Sequence, residues 1–261
     1  MKALVTGTDG FIASNFLKLS EDTFYTINHW EVNLNSIPWD KVSHVYHFGA
    51  ISRTTETDVD LIYRANIKFT LDLFDYCKKY GIGITYASSA SVYGNTSITH
   101  EINPLNYYAM SKATIDYKAM ELIDSGMNIV GLRFYNVYGA GEETKGNQAS
   151  PVHQFTVQAK NAGVIKVFKG SATYARDFVW VNDVIECVNT QKSPGIYDVG
   201  TSKPITFLDV AEQVAEKYGA YIQVIPFPEH LIGKYQLYTC ALQHFDKEFI
   251  SVSKYLTLCG S

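Results

Sequence analysis

Two rhythms of apolar residues run along the chain. Short, nearly unbroken apolar runs occupy Lys2–Thr6, 24–28, 44–48, the stretch ending at Ser88 and Ser89, 128–134 and 196–199. Runs of this length bounded by turn residues predict strands. Between them the spacing changes to that of helices. Phe11, Ile12 and Phe16 begin one, and Leu61, Ala65, Phe69, Leu73 and Phe74 mark another from about 58 to 80. A third opens at Tyr108, a fourth covers Pro151–Ala162 with its proline suited to a first turn, and a fifth ends near Tyr218. Thr206 and Asp209 have the spacing of a capping box for the fifth. Strands alternating with helices predict an α/β fold with a doubly wound parallel sheet.

Composition narrows the possible functions. A 46% hydrophobic content over 261 residues supplies a real core and excludes disorder. A net charge of −4 argues against a nucleic-acid surface, while leaving room for a local basic pocket. Cys77, Cys187, Cys240 and Cys259 are scattered without metal-ligand spacing, which predicts buried free thiols in a reducing compartment and no metal site. No apolar run approaches the ~18 residues of a membrane span. The first residues reach a glycine-rich turn too soon for a signal peptide. A cytoplasmic protein without membrane or nucleic-acid partners is expected.

Three stretches carry candidate chemistry. Gly7-Thr-Asp-Gly10 lies between a strand and a helix, the setting in which a glycine turn binds a dinucleotide. Gly7 permits the tight turn, and Gly10 lets backbone approach a pyrophosphate at the helix N-terminus. Gly49 and Ala50, after the third strand, allow a similar close approach. Tyr108 and Lys112, four apart on a helix, share a face. A phenol is a poor base at neutral pH, and an adjacent ammonium favours its phenolate. Ser89, at a strand end 19 residues upstream of Tyr108, supplies a hydrogen bond to the same oxygen. With 19 tyrosines such a pair also arises by chance, and a solvated surface lysine is the plain alternative. The same alternative applies to Lys145 in its Gly/Glu-rich loop.

Together these segments resemble the extended short-chain dehydrogenase/reductase family, in its nucleotide-sugar epimerase/dehydratase branch, and the likeness runs through most of the chain. It implies a Rossmann-type domain from 1–139 plus about 174–199, and a smaller substrate lobe from 140–173 plus 200–261. It implies NAD or NADP held by Gly7, Gly10, Phe11, Ile12, Asn28, Phe48, Gly49, Ala50, Asn66 and Val137 together with Tyr108 and Lys112. Asn28 stands where the family carries an acidic residue for the ribose, which leaves NAD against NADP open and predicts weak discrimination. The second and third strands are closer in sequence than the family's by some twenty residues, and the chain is shorter after Tyr235.

Within that branch, Ser52-Arg-Thr-Thr-Glu56, Lys145-Gly-Asn-Gln-Ala-Ser150, and Ile225-Pro-Phe-Pro followed by Gly-Lys-Tyr235-Gln are similar to the ADP-glycero-manno-heptose 6-epimerases. These act by transient oxidation of the sugar to a ketone. The resemblance makes Tyr108 one acid/base, Lys112 its tuner, Ser89 an orienting donor and Lys145 a second acid/base. Asn136, Gln154, Phe168, Gly170, Ser171, Arg176 and Tyr235 would face the substrate, a nucleotide-diphosphate sugar. Gln154 lies one place beyond His153, where the heptose enzymes have a histidine. A homo-oligomer is implied. Another epimerase, a 4,6-dehydratase or a reductase of the same fold, or an inactive cofactor-binding module, are the alternatives.

Overall fold

The computed structural model of the chain describes residues 1–95, 100–190, 193–229, 232 and 235–258. Cys259, and Gly233 and Lys234 of the Gly-Lys-Tyr-Gln segment, lie outside the described residues.

Six parallel strands form the main sheet: β1 (Lys2–Thr6), β2 (Tyr25–Ile27), β3 (Val42–His47), β4 (Gly83–Ser89), β5 (Ile129–Phe134) and β10 (Gly195–Val199). Their spatial order is β10-β5-β4-β3-β1-β2. The chain leaves β1 toward one side to make β2, then returns to build β3 on the other. That reversal opens a crevice at the C-terminal ends of β1 and β3, the usual ligand position in such sheets. Among the described residues only β2 lies beyond β1 on that side, which fits the short sequence between the second and third strands. The strands are apolar because both faces are covered. Leu4, Val45, Ile84, Ile129 and Leu132 have essentially no exposed surface.

One face carries α1 (Phe11–Leu19) and α6 (Val181–Thr190), packed on each other. The other carries α4 (Tyr107–Asp124) and the long helical run predicted from 58 to 80. That run is three pieces: α2 (Val59–Ile62), a π-helical segment Tyr63–Lys68 and α3 (Phe69–Tyr80). The wider turn at 63–68 coincides with Asn66, whose side chain reaches back to Ile51. Gly81 closes α3 with φ 65°, the left-handed stop that glycine takes without cost.

A smaller lobe has its own apolar cluster, with Val152, Phe155, Ile165, Val167, Val210 and Val214 at its centre. Its frame is α5 (Pro151–Ala162), α7 (Phe207–Tyr218) and the parallel pair β7 (Val164–Phe168) and β12 (Tyr221–Ile225). Thr206 and Asp209 form the predicted capping box, with bonds of 3.0 and 2.9 Å. Short strands that the apolar pattern did not announce link lobe to sheet: β6 (Asn136–Tyr138) beside β9 (Phe178–Trp180), and β8 (Ala175–Arg176) beside β11 (Ile205–Thr206). Helix α8 (Val252–Leu258) packs on α7.

Among the described residues of 226–251 there is no long helix or strand. Instead, the buried Asp177 carboxylate collects the Thr201 N–H and hydroxyl, the Ser202 N–H and the Ala241 N–H, at 2.7 to 3.0 Å. Thr239 Oγ1 accepts the Asp177 N–H at 3.1 Å. Among the described residues no helix is long and apolar enough to cross a membrane.

Candidate active site

The turn between β1 and α1 is set by backbone contact. Gly7 has φ +73°, and a Cβ there would lie 2.5 Å from the Cα of Gly49. This close approach fits the two loops together. Gly10 caps α1 without any side-chain bond. The first-turn N–H groups of α1 thus open into the cleft together with Phe11 and Ile12, the arrangement that suits a phosphate.

Asn106 caps α4 by accepting the Ala109 N–H at 2.9 Å, which places Tyr108 in the first turn. Ser89 ends β4, where its hydroxyl accepts the Ser91 N–H at 3.2 Å and hydrogen-bonds the Tyr108 phenol. Lys112 is buried, and its ammonium donates to the Ala87 carbonyl at 2.6 Å, standing 6.0 Å from the Tyr108 ring centre. Burial brings its pKa down to about 8, opposed by Asp116 one turn further on. The expectation that the ammonium lowers the phenol's pKa is corrected here. Burial raises the Tyr108 pKa, Asp116 adds to the rise, and the Ser89 hydrogen bond is what opposes it.

Lys145 enters the same cleft from the loop between β6 and α5, 5.1 Å from the centre of the Phe11 ring. Burial lowers its pKa, and Glu142, 3.9 Å away, pulls it back up. Glu142 is itself buried and accepts the Ser150 N–H, the Ser150 hydroxyl and the Gly139 N–H at 2.7, 2.8 and 3.1 Å. Sequence reading had passed over Glu142; a carboxylate three residues before a candidate acid/base lysine is the signal that was available.

Arg176, on β8, is buried with its guanidinium 5.0 Å from the Tyr235 ring and 5.7 Å from that of Phe207. Gln236 pins this wall across the end of β4 by donating to the Ala90 and Gly94 carbonyls at 3.2 and 2.6 Å. Phe48, Ala50, Asn136 and Val137 also face the cleft, whose volume is about 430 Å³. Tyr235 separates it from a second cavity of about 490 Å³ bounded by Gly170, Tyr174 and Phe227. Phe168 packs edge-on against Phe227 beside it, and Ser171 is buried beneath with its N–H bonded to Phe168.

Three expected site residues spend their side chains on the protein. Asn66 bonds Ile51 in both directions, at 2.8 and 3.0 Å, and donates to Ser111 at 3.0 Å. Gln154 donates to the Ala149 and Asn147 carbonyls at 2.7 and 3.3 Å, bracing the loop that carries Lys145. Asn28 is engaged with Asp9. Polar residues at turns and helix starts serve backbone groups at least as readily as ligands, and spacing alone does not separate the two uses.

Ser88 Oγ, Ser91 Oγ and Arg176 Nη1 are buried without a hydrogen-bond partner, and all three residues line the cleft. Orphaned polar atoms of this kind, beside an uncapped helix N-terminus, fit a ligand rich in hydroxyls and phosphate. Among the described residues no cluster of metal-ligating side chains occurs.

Comparison with known proteins agrees with this geometry. The model of the NAD dependent epimerase/dehydratase family matches residues 25–200. The chain is 42% identical to an ADP-L-glycero-D-manno-heptose-6-epimerase of Alkalilimnicola ehrlichii, across 77% of this chain and 67% of the relative. It is 33% identical to the Brachyspira hyodysenteriae protein of the same name, across 96% and 94%. The crystal structure of the Helicobacter pylori ADP-L-glycero-D-manno-heptose-6-epimerase superposes with a TM-score of 0.75 at 25% identity, covering 98% of this chain and 94% of that one. With strand order, glycine turn, cleft and relatives in agreement, this chain belongs to the NAD dependent epimerase/dehydratase family.

Proposed function

We propose that the chain inverts carbon 6 of an ADP-glycero-manno-heptose through a transient ketone. The observation that carries this reading is the entry of two proton-exchanging side chains, Tyr108 from α4 and Lys145 from the 142–148 loop, into one cleft. Relatives with this name match at 42% and 33% identity.

A bound nicotinamide dinucleotide supplies reversible hydride acceptance and return at the sugar carbon. The protein's part is proton handling and positioning. The Tyr108 oxygen exchanges the hydroxyl proton as the carbonyl forms, with Ser89 holding that oxygen by a hydrogen bond. The buried Lys112, with its pKa of about 8, keeps a titratable positive charge behind the pair. Once the ketone has turned, Lys145 serves the other approach, its charge balanced by Glu142. Arg176 grips a diphosphate through its Nη1, the guanidinium nitrogen that is buried without a hydrogen-bond partner among the described residues. The aromatic wall of Tyr174, Phe227 and Tyr235 borders a cavity suited to a nucleotide base.

The active form in this reading is a homo-oligomer. Tyr107, Met110, Tyr117 and Met120 stand exposed along α4, with Val59 and Tyr63 exposed on the neighbouring helix. Covering that apolar strip with a second copy removes it from water. The buried thiols Cys77 and Cys187 agree with a reducing, cytoplasmic setting.

The test is to incubate the purified protein with ADP-D-glycero-manno-heptose and with a panel of UDP-, dTDP- and GDP-hexoses, and to follow epimer formation by NMR. Inversion of the heptose alone is expected. Turnover of a hexose in preference to the heptose overturns the assignment.

A further inference from the structure

Tyr108 and Lys112 share their stripe of α4 with a third ionisable side chain. Tyr108, Lys112 and Asp116 follow one another at intervals of four, so the carboxylate lies one turn beyond the ammonium and two beyond the phenol. Asp116 is buried, which costs a carboxylate dearly unless its oxygens are paired. Two strands supply the partners. Tyr86 of β4 donates to one oxygen at 2.8 Å, and Arg133 Nε of β5 donates to the other at 2.7 Å. Gly131 of β5 makes room for the first contact: a Cβ there would lie 2.6 Å from the Tyr86 hydroxyl oxygen. Arg133 is held at its far end as well. Its Nη1 donates to the Tyr93 hydroxyl at 2.7 Å, and that hydroxyl donates to Asp198 at 2.7 Å.

We propose that Asp116 is a positioning residue for the proton steps: its charge, clamped between Tyr86 and Arg133, favours the protonated forms of both Lys112 and Tyr108 and so sets the pH window in which the pair works. This rests on the proton route through Tyr108 proposed above. One negative charge acts on both groups in the same sense, because it attracts an ammonium and repels a phenolate. The directions agree: Asp116 opposes the fall that burial imposes on Lys112 and adds to the rise of Tyr108. The other neighbours leave this charge to act. His47 of β3, bonded to Thr6 and Thr70 at 2.6 and 2.9 Å, is kept neutral, its pKa pushed down to about 3 by burial and then by Lys112. Asp198 of β10 is engaged by Tyr93, Tyr135 and the Leu242 N–H. The π-helical segment meets α4 through the uncharged Asn66–Ser111 contact, and the exposed Asp60 and Arg64 pair with each other at 3.0 Å. Across the cleft Lys145 and Glu142 balance one another at 3.9 Å.

A tie between α4 and β5 alone would affect stability and leave proton affinities in the cleft unchanged, and the experiment separates the two roles. Protein carrying 13C at the lysine ε-carbon is titrated from pH 6 to 10 by NMR, with the Lys112 signal identified by its loss in Lys112→Met. Wild type should titrate near pH 8. The near-isosteric Asp116→Asn should lower that midpoint by at least about one unit, the effect of one charge roughly 6 Å away at an effective dielectric constant of ~20. The double variant Asp116→Asn/Arg133→Gln, which leaves no unpaired buried charge, should lower it by less. Tyr86→Phe, which removes a donor and keeps the charge, should leave it in place. In turnover of the heptose, the limb that rises with pH as Tyr108 loses its proton should move to lower pH in Asp116→Asn. A Lys112 midpoint unmoved in both Asp116 variants, or a shifted midpoint with an unmoved limb, overturns the inference. The titration needs no substrate, so an absence of heptose turnover overturns the proposed function while the Lys112 midpoint still decides the role of Asp116.

Discussion

The Lys145 ammonium stands 3.9 Å from the Glu142 carboxylate, which is buried and tied to Ser150 and Gly139. This contact fixes an otherwise exposed loop lysine beside the cleft and opposes the loss of its charge on burial. Removing the carboxylate's charge with Glu142→Gln should therefore lower the Lys145 pKa. If protonated Lys145 is required, the alkaline limb of the pH–rate profile moves to lower pH. An unshifted limb would show that Lys145 does not titrate in the reaction.

Lys145→Met goes further and deletes the group. Epimerisation should stop while the first oxidation continues, visible as a transient nicotinamide absorbance after mixing with substrate. Normal epimerisation in this variant would return Lys145 to the status of a loop charge.

Tyr108→Phe removes the phenol and little else. Loss of one acid/base group typically costs roughly 10²–10⁴ in rate, and cofactor retention should be unchanged. A fully active variant would rule out the proton route through Tyr108.

Lys112 links site and stability. Its folded pKa of about 8 lies below the ordinary lysine value of about 10.4. Between those limits the unfolded chain binds more protons, so this group's penalty is full below about pH 8 and is relieved as pH rises toward ~10.4. Urea unfolding of wild type and Lys112→Met from pH 7 to 10 should show wild type gaining on the variant across that window. A constant difference would mean that the ammonium is not desolvated as described.

The exposed strip on α4 gives a fifth test. Tyr117→Glu with Met110→Lys places charges in it without touching the cleft. Light scattering after size exclusion should show the oligomer of the wild type dissociating in the double variant. A wild-type monomer would remove the second copy from the proposal.

Much of this was legible in the residues. β1, α5 and the capping box of α7 stand where the apolar rhythm and cap spacing put them, because each is decided by local chemistry. The helical run at 58–80 was legible as one helix, but its π-helical turn coincides with a bond from Asn66 to Ile51 that no local pattern contains. The positions of Tyr108, Ser89, Lys145 and Arg176 on one cleft follow from motif context. The protonation of Tyr108 does not, because it depends on burial and on the direction in which Lys112 points. The partners Asp9, Glu142 and Asp116 escaped notice for the same reason: each acts through a neighbour in space.

The Asp177 knot also makes the cleft depend on distant parts of the chain. Its donors come from Thr201, Ser202 and Ala241, the last of them 64 positions away, and the wall bearing Tyr235 and Gln236 leads into that last contact. Among the described residues an isolated parallel bridge, Ala175 with Tyr238, ties that wall to β8. Its anchor at Asp177 is shared with the turn after β10, which supplies the Thr201 and Ser202 donors. A chain ending before Ala241 would lack that donor to the buried Asp177 carboxylate, and the cleft wall of Tyr235 and Gln236 would lose the anchor that follows it.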